Sequence, residues 1–340
     1  MVAAAAAGPT TNSWETSVDA RGEYKRKDSV FRDAVTRDEG GKFVAEAGRY
    51  HLYVSLACPW AHRTLITRAL KGLQDVISVT VVDWHLGPRG WKFSAGDECP
   101  GCTPDAVNGK EYLREVYELA DPGYTGNVTV PTLWDTKSKT IVNNESSELI
   151  RMLFTEFNAF CATPEQAALD FYPADLRPAI DAVNEWIYPS INNGVYRCGF
   201  ATSQDAYNEA FDELFAALDR VEGILERSRY LCGPRLTEAD LRLFPTLIRF
   251  DACYVQHFKT NLRRIADYPA LSGYVRELYQ MPAIRGTCDF EHIKQHYMGS
   301  HKGINPLGII PRGPDMGYLE APHGRGHLEG IPLGIKGVSE

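Results

Sequence analysis

The sequence predicts an α/β domain followed by an all-helical one, and three observations carry that expectation. Through the first half, short alternating or β-branched runs trade places with apolar residues at helical spacing. Beyond residue 172 the strand signals stop. The third observation is size: 340 residues, 44% hydrophobic and 24% charged, hold enough apolar material for two cores of moderate size. General disorder is excluded by the same composition.

Residues 1–45 are polar and charged without clear periodicity and read as an arm. At Tyr50 the pattern changes. Leu52, Val54 and Leu56 alternate with His51, Tyr53 and Ser55, which describes a half-buried strand. Ala61, Leu65, Ile66, Ala69 and Leu70 then recur at helical spacing, with Arg63, Arg68 and Lys71 around them and Gly72 as the stop. Residues 76–82 are a second β-branched run, and strand, helix, strand in that order makes the two strands parallel. A Gly/Pro/Trp-rich segment spans 84–109, and a helix is expected over 110–119 with Leu113, Val116 and Tyr117 on one face. Residues 128–134 and 140–142 read as strands joined by a polar turn, and Asn144 is placed to cap a helix carrying Leu149, Ile150, Leu153 and Phe154. The order β-α-β-α-β-β-α over residues 46–158 is that of a thioredoxin-like domain with one insertion.

After a linker near 158–172, helices are expected over 174–191, along the stripe Tyr207, Phe211, Leu214, Phe215, Leu218, Val221 and Leu225, and over 270–280. Thr237 is placed as the N-cap of a further helix, with Asp240 at its third position. Residues 170–299 therefore form an all-α domain. Nine glycines and five prolines in the last 41 residues predict an extended tail over 300–340, laid on the surface rather than packed.

With 36 basic and 44 acidic residues the net charge is −8 and the pI about 5.7, which argues against nucleic acid or an anionic membrane as the partner. No run approaches the length of a membrane span. Residues 2–7 are apolar but short and follow no basic residue, so no export signal is read there. The expectation is a cytoplasmic, reducing compartment. Each of the eight cysteines, at 58, 99, 102, 161, 198, 232, 253 and 288, is first read as a thiol.

Cys58 is the strongest candidate for chemistry. A strand hands over to a helix there, so the first helical amides and the positive end of the dipole face its sulfur and favour the thiolate. A buried structural cysteine at a strand end is the competing reading. Pro59 suits the first helical position, where a missing N–H costs nothing. About 70 residues on, Val130-Pro131 falls where thioredoxin architecture places a cis-proline beside the thiol; a trans edge-strand proline is the alternative. Glu145 and Ser146 offer a carboxylate, a hydroxyl and free amides to an amino-acid head group, or simply cap their helix.

Cys99-Pro100-Gly101-Cys102 is a second thiol pattern. One C-x-x-C is weak support for zinc, because a structural site needs four ligands and no second pair lies nearby in sequence. The pair reads as reduced loop thiols, able to form a local disulfide under oxidation, and no metal is expected. The other five cysteines read as packing residues.

The string Cys58-Pro59-Trp60-Ala61-His62-Arg63, with Gly48-Arg49-Tyr50, Val128-Thr129-Val130-Pro131 and Glu145-Ser146, resembles the glutathione transferases of cysteine type. Asn192-Asn193-Gly194-Val195-Tyr196, the run from Leu236 to Phe244, Arg249-Phe250-Asp251, Ser300-His301 and Ile304-Asn305-Pro306 resemble the glutathionyl-hydroquinone reductases, the xi class. The likeness covers nearly all the chain from about residue 30. It implies a glutathione-transferase helical domain, glutathione as co-substrate and Cys58 as nucleophile. It implies glutathione contacts at Trp91, Asn127, Val128, Thr129 and Val130, with the γ-glutamyl site at Glu145 and Ser146. Tyr196 is implied as general acid/base, and Tyr254 and Tyr297 as neighbours of the thiol and of an aromatic substrate. A homodimer acting on glutathionylated aromatic hydroquinones is implied as well.

Dithiol oxidoreductases resolve their mixed disulfide with a second cysteine three positions after the first. Ala61 stands there, so an external thiol must do it. The nearest alternatives are an omega-type thiol transferase or dehydroascorbate reductase, which would share Cys58, and a non-catalytic interaction module. The three tyrosines favour the hydroquinone reading, and intact Cys58, Glu145 and Ser146 count against the module.

Overall fold

The computed structural model describes residues 17–335, so the stretch at 2–7 and the outer ends of the arm and tail lie outside the described residues. The first half is built on a four-stranded sheet of β1 (Tyr50–Val54), β2 (Ser78–Val81), β3 (Thr132–Asp135) and β4 (Thr140–Asn143), in the order β2-β1-β3-β4. β1 and β2 are parallel, with Val54 opposite Val81, while β3 runs antiparallel to both β1 and β4. Helices α1 (Pro59–Leu70), α2 (Leu113–Ala120) and α3 (Ser146–Thr155) complete this half. The helical half contains α4 (Arg177–Ile187), α5 (Gly194–Phe200), α6 (Gln204–Leu225), α7 (Glu238–Arg249), α8 (Pro269–Gln280) and α9 (Phe290–Ser300), with shorter turns between them. Each half has its own apolar core. Among the described residues no helix is long and apolar enough to cross a membrane.

Several boundaries move for physical reasons. The second strand starts at Ser78 rather than residue 76, because the amides of Val76 and Ile77 both bond back to the Leu73 carbonyl and close a turn. Residues 128–131 lie ahead of β3, not inside it. The helix expected from residue 110 begins at Leu113, since Glu115 draws in the amides of Glu111 and Tyr112. Glu145, not Asn144, caps α3: its carboxylate accepts from the Ser147 amide at 3.0 Å. The helix expected over 174–191 is α4 from Arg177 and then a wide π turn over Tyr188–Asn192, after which α5 begins. Pro189 explains the break, because it has no N–H to continue the α-helical ladder.

β1 is not half-buried; all five of its residues are buried. The insertion packs on β1, with the Phe93 ring 5.4 Å from that of Tyr53 and Asp105 accepting from the Tyr53 hydroxyl at 2.9 Å. The two His51 ring nitrogens meet hydroxyls of the neighbouring β2, Ser78 (2.6 Å) and Thr80 (2.8 Å). α1 likewise has no solvated face at Arg63 or Lys71, which are 1% and 0% exposed. α7 packs across α1, and Lys71 donates to the carbonyls of Ala167 and Leu169.

The tail is more firmly packed than its composition suggests. It holds a 3₁₀ turn over Gly317–Glu320 and the buried residues Leu319 and Arg325. Arg325 donates to the carbonyls of Leu225, Ser228, Arg229 and Ala270 and to the Glu277 carboxylate, so one side chain fixes the extended strand of chain around it.

Thr237 and Asp240 form the capping box expected at the start of α7. Fully buried Asp240 accepts from the amide and hydroxyl of Thr237, the Leu231 amide and the Tyr274 hydroxyl, each at 2.9 Å. Replacing it by Ala leaves these donors buried without an acceptor. Asp240→Ala should cost about 3 kcal/mol in a denaturant titration of the helical domain, and a loss below about 1 kcal/mol would contradict the assignment.

Candidate active site

Cys58 ends the loop between β1 and α1 and is the N-cap of α1, with extended backbone and Pro59 in the first turn. Both apolar cores touch it, so the sulfur sits where the two halves meet. Its Sγ donates to the Val130 carbonyl at 3.4 Å, and the Val130–Pro131 peptide is cis, as thioredoxin architecture required.

The helix-dipole argument favours a lowered thiol pKa, and here the balance goes the other way. Part of the Cys58 surface stays open, yet atoms crowd the sulfur closely. That desolvation pushes the thiol up, and the amides of Ala61 and Trp60 with the guanidiniums of Arg26 and Arg249 only partly offset it. A protonated sulfur fits its role as donor to Val130.

Beside the sulfur a cleft of about 190 Å³ brings together Asn127, Thr129, Val130, Glu145 and Ser146 with Arg26 and Ser29 of the arm. Val128 points its side chain into the core, which leaves its backbone as the part facing this segment. Burial raises the Glu145 carboxyl, but the amide and hydroxyl of Ser147, the charge of Arg63 and the Ser29 hydroxyl overcome it, and its pKa ends below the ordinary value. Glu145 is therefore an anion at neutral pH. Ser146 accepts from Arg63 at 3.2 Å, and that guanidinium lies 4.5 Å from the Trp60 ring centre. The cleft thus sets a half-buried anion near a buried cation and serine hydroxyls, the chemistry an α-amino acid head group needs.

On the other side of the sulfur lies a second, tighter cavity of about 30 Å³, lined by Cys58, Trp91, Tyr196, His296, Tyr297 and neighbours. Trp91 belongs to this side. It stacks on His296 at 5.1 Å, and its buried Nε1–H has no partner among the described residues. The hydroxyls of Tyr196 and Tyr297 are 2.5 Å apart, and Tyr254 reaches Tyr297 at 3.0 Å. Tyr254 stands behind the cavity rather than in its wall. Burial raises the pKa of all three phenols, so they stay protonated at physiological pH.

Sequence reasoning missed three residues here. Arg26 comes from the arm, with its guanidinium 4.4 Å from Trp60 and 5.7 Å from Tyr196; no local pattern marks it. Arg249 was visible only as part of a motif, yet it donates to the carbonyls of Leu56 and Ala57 just ahead of Cys58, at 2.9 and 2.8 Å. His296 stands in the cavity wall with Nδ1 donating to the Trp84 carbonyl at 2.7 Å. Burial lowers its pKa to about 4, and that makes it neutral. Cys99 and Cys102, expected as thiols, are joined in a disulfide across a turn that brings their Cα atoms to 5.4 Å.

A thioredoxin-like domain with a helix-capping cysteine and a cis-proline, docked on a helical domain, defines a glutathione transferase of cysteine type. Residues 57–156 match the family of glutathione S-transferase N-terminal domains, and residues 204–277 that of the C-terminal domains. The chain is 52% identical over 320 residues to the glutathionyl-hydroquinone reductase YqjG of Escherichia coli, covering 92% of this chain and 95% of the relative. It is 52% identical to the glutathionyl-hydroquinone reductase PcpF of Sphingobium chlorophenolicum, over 90% of this chain and 95% of that one. The crystal structure of the xi glutathione transferase of Phanerochaete chrysosporium superposes with a TM-score of 0.85 at 52% identity, covering 87% and 94% of the two chains. The glutathione-bound structure of YqjG gives 0.83 at 53%, covering 87% and 96%. The chain belongs to the glutathionyl-hydroquinone reductases, the xi class of glutathione transferases.

Arg26→Met keeps an apolar stem and removes a charge that stabilises the thiolate. The Cys58 pKa should rise, and alkylation of that thiol by iodoacetamide at pH 7 should slow roughly tenfold. An unchanged rate would remove Arg26 from the electrostatics of the sulfur.

Proposed function

We propose that this protein reduces S-glutathionyl hydroquinones to hydroquinones at the expense of glutathione. The observation that carries the reading is the position of Cys58, at the junction of a polar cleft fit for a peptide and a cavity lined by protonated tyrosines. Membership of the family and the glutathione-bound relative support the same substrate.

In this reading the conjugate lies across both sites. Glu145 and Ser146 hold the γ-glutamyl end, the backbone of residues 127–130 pairs with the tripeptide, and Trp91 offers its N–H beside the sulfur. Cys58 gives up its thiol proton and attacks the glutathione sulfur, and the bond between that sulfur and the aromatic carbon breaks. Its electron pair stays on the carbon and takes a proton from Tyr196, and the proton released by Cys58 restores the phenol. A second glutathione attacks Cys58-S-SG, releasing glutathione disulfide, and its own thiol proton returns Cys58 to the thiol. The sum is one conjugate and one glutathione converted to one hydroquinone and one glutathione disulfide.

The 30 Å³ beside Tyr196 holds no more than about two waters, so the aromatic half must displace side chains to bind. The reading includes a cytoplasmic homodimer, which the family likeness supports.

The test is turnover of the glutathione conjugate of menadione. The wild type should release the hydroquinone only when glutathione is present, and no release would end the proposal. Cys58→Ser should abolish turnover. Tyr196→Phe should lower kcat roughly 100-fold or more while the affinity for glutathione changes little; weaker glutathione binding at unchanged kcat would take Tyr196 out of proton transfer.

A further inference from the structure

The insertion carrying Trp91 ends in the turn Cys99-Pro100-Gly101-Cys102. In sequence it offers two metal ligands, and on that ground no metal site was expected there. Folding supplies a third. His292, in the first turn of α9 and 192 residues after Pro100, brings a ring nitrogen to the pair. The two sulfurs and that nitrogen lie within 4.8 Å of one another. All three residues are buried, with exposures of 1%, 4% and 1% for Cys99, Cys102 and His292.

The imidazole is fixed edge-on to Trp84 at 5.1 Å, and its Nε2 meets the Pro100 carbonyl at 2.6 Å. Its Nδ1 is buried with no hydrogen-bond partner among the described residues. Buried ring nitrogens normally find a partner. Here an unsatisfied nitrogen belongs to a ring already held beside two cysteine sulfurs.

We propose that Cys99, Cys102 and His292 form a zinc site when the cysteines are reduced. Two thiolates and an imidazole are the donors zinc prefers, whereas calcium and magnesium demand oxygen. Two thiolate charges cancel the charge of the ion, so the buried group is neutral overall, as its dry surroundings require. The fourth position is left to a small exogenous ligand such as water. In the oxidised chain the sulfurs bond to each other and the site does not exist. Two glutathiones open it: each gives up its thiol proton and one electron, they leave as glutathione disulfide, and two cysteine thiols form. Zinc then displaces both thiol protons to solvent. Because α9 also carries His296 and Tyr297, the ion ties the insertion to the helix that lines the aromatic cavity.

Cobalt serves as the spectroscopic probe, in the full-length Cys58→Ser chain so that the reactive thiol cannot compete. After reduction with a thiol-free phosphine, one equivalent of Co²⁺ per chain should produce thiolate-to-cobalt charge-transfer absorption and the visible bands of a tetrahedral ion, and Zn²⁺ should erase both. Cys99→Ser and Cys102→Ser should abolish the charge-transfer signal. His292→Ala should weaken binding by more than the roughly 10–100-fold that loss of an outer-sphere partner costs. The same chain with its pair oxidised should take up no cobalt, a control that requires no change at the site. No charge transfer in the reduced chain, persistence of binding in the oxidised chain, or unchanged affinity in His292→Ala would each overturn the site.

Discussion

The active-site loop depends on one buried cation. Arg249 enters from α7 with no exposed surface and uses its guanidinium to hold the carbonyls of Leu56, Ala57 and Pro245 and the His62 Nδ1. A buried guanidinium is tolerated only when its donors are spent, and these acceptors come from both halves of the chain. The two halves therefore have to dock before the charge is satisfied. His62 follows from it: burial and then Arg249 drive its pKa well down, so the ring is neutral and accepts at Nδ1. Nε2 must then carry the proton, which it donates to Thr287 at 2.8 Å, and Thr287 in turn donates to Ile284. One cation thus fixes the backbone ahead of Cys58, the tautomer of a histidine and the turn after α8.

Around the sulfur, solvent exclusion and fixed charge pull in opposite directions. Crowding disfavours the thiolate, while helix amides and two arginines favour it. The tyrosine hydroxyls obey the same exclusion with the opposite benefit. A phenol whose pKa is raised keeps its hydrogen and can donate a hydrogen bond, and three in a chain relay one another's hydrogen bonds. Arg26 and Trp60 line both the polar and the dry side of the site, and Cys58, in the wall of the dry side, reaches Val130 of the polar one.

What the sequence showed were features set by neighbours in the chain. The capping box joins Thr237 and Asp240, three positions apart, the placement of Cys58 at a strand-to-helix junction spans one turn, and both appear in the structure. What it hid were polar groups whose partners are distant. His51, Tyr53, Arg63 and Lys71 look like solvated positions by spacing, but β2, the insertion, α7 and the segment at 167–169 supply their partners in turn. Arg26 lies in an arm without periodicity and acquires its place from Trp60, some 30 residues later, and Tyr196, some 170 later. The C-x-x-C motif has no further ligand nearby in sequence, and the one that folding brings to it, His292, is remote. Periodicity reports burial of apolar groups well; it is silent on buried charge, because compensation is a tertiary property.

Two of the three site tyrosines lie in or just after a widened turn, and geometry explains the use. Residues 188–192 and 250–254 are π-helical, the first just before α5 with its Tyr196 and the second ending at Tyr254. In an α-helix, residues five apart point about 140° away from each other. The i→i+5 bonding of a π turn brings them back toward one face. Arg249 and Tyr254 are five apart across such a turn, so the residue that holds the Cys58 loop and the one that backs the tyrosine chain both serve the same side. Between them, Asp251 accepts from the amides of Ile265 (2.6 Å) and Ala266 (3.0 Å) and from Tyr318 of the tail at 3.2 Å. The tail therefore buttresses the turn that sets Tyr254, and through Tyr297 the position of Tyr196.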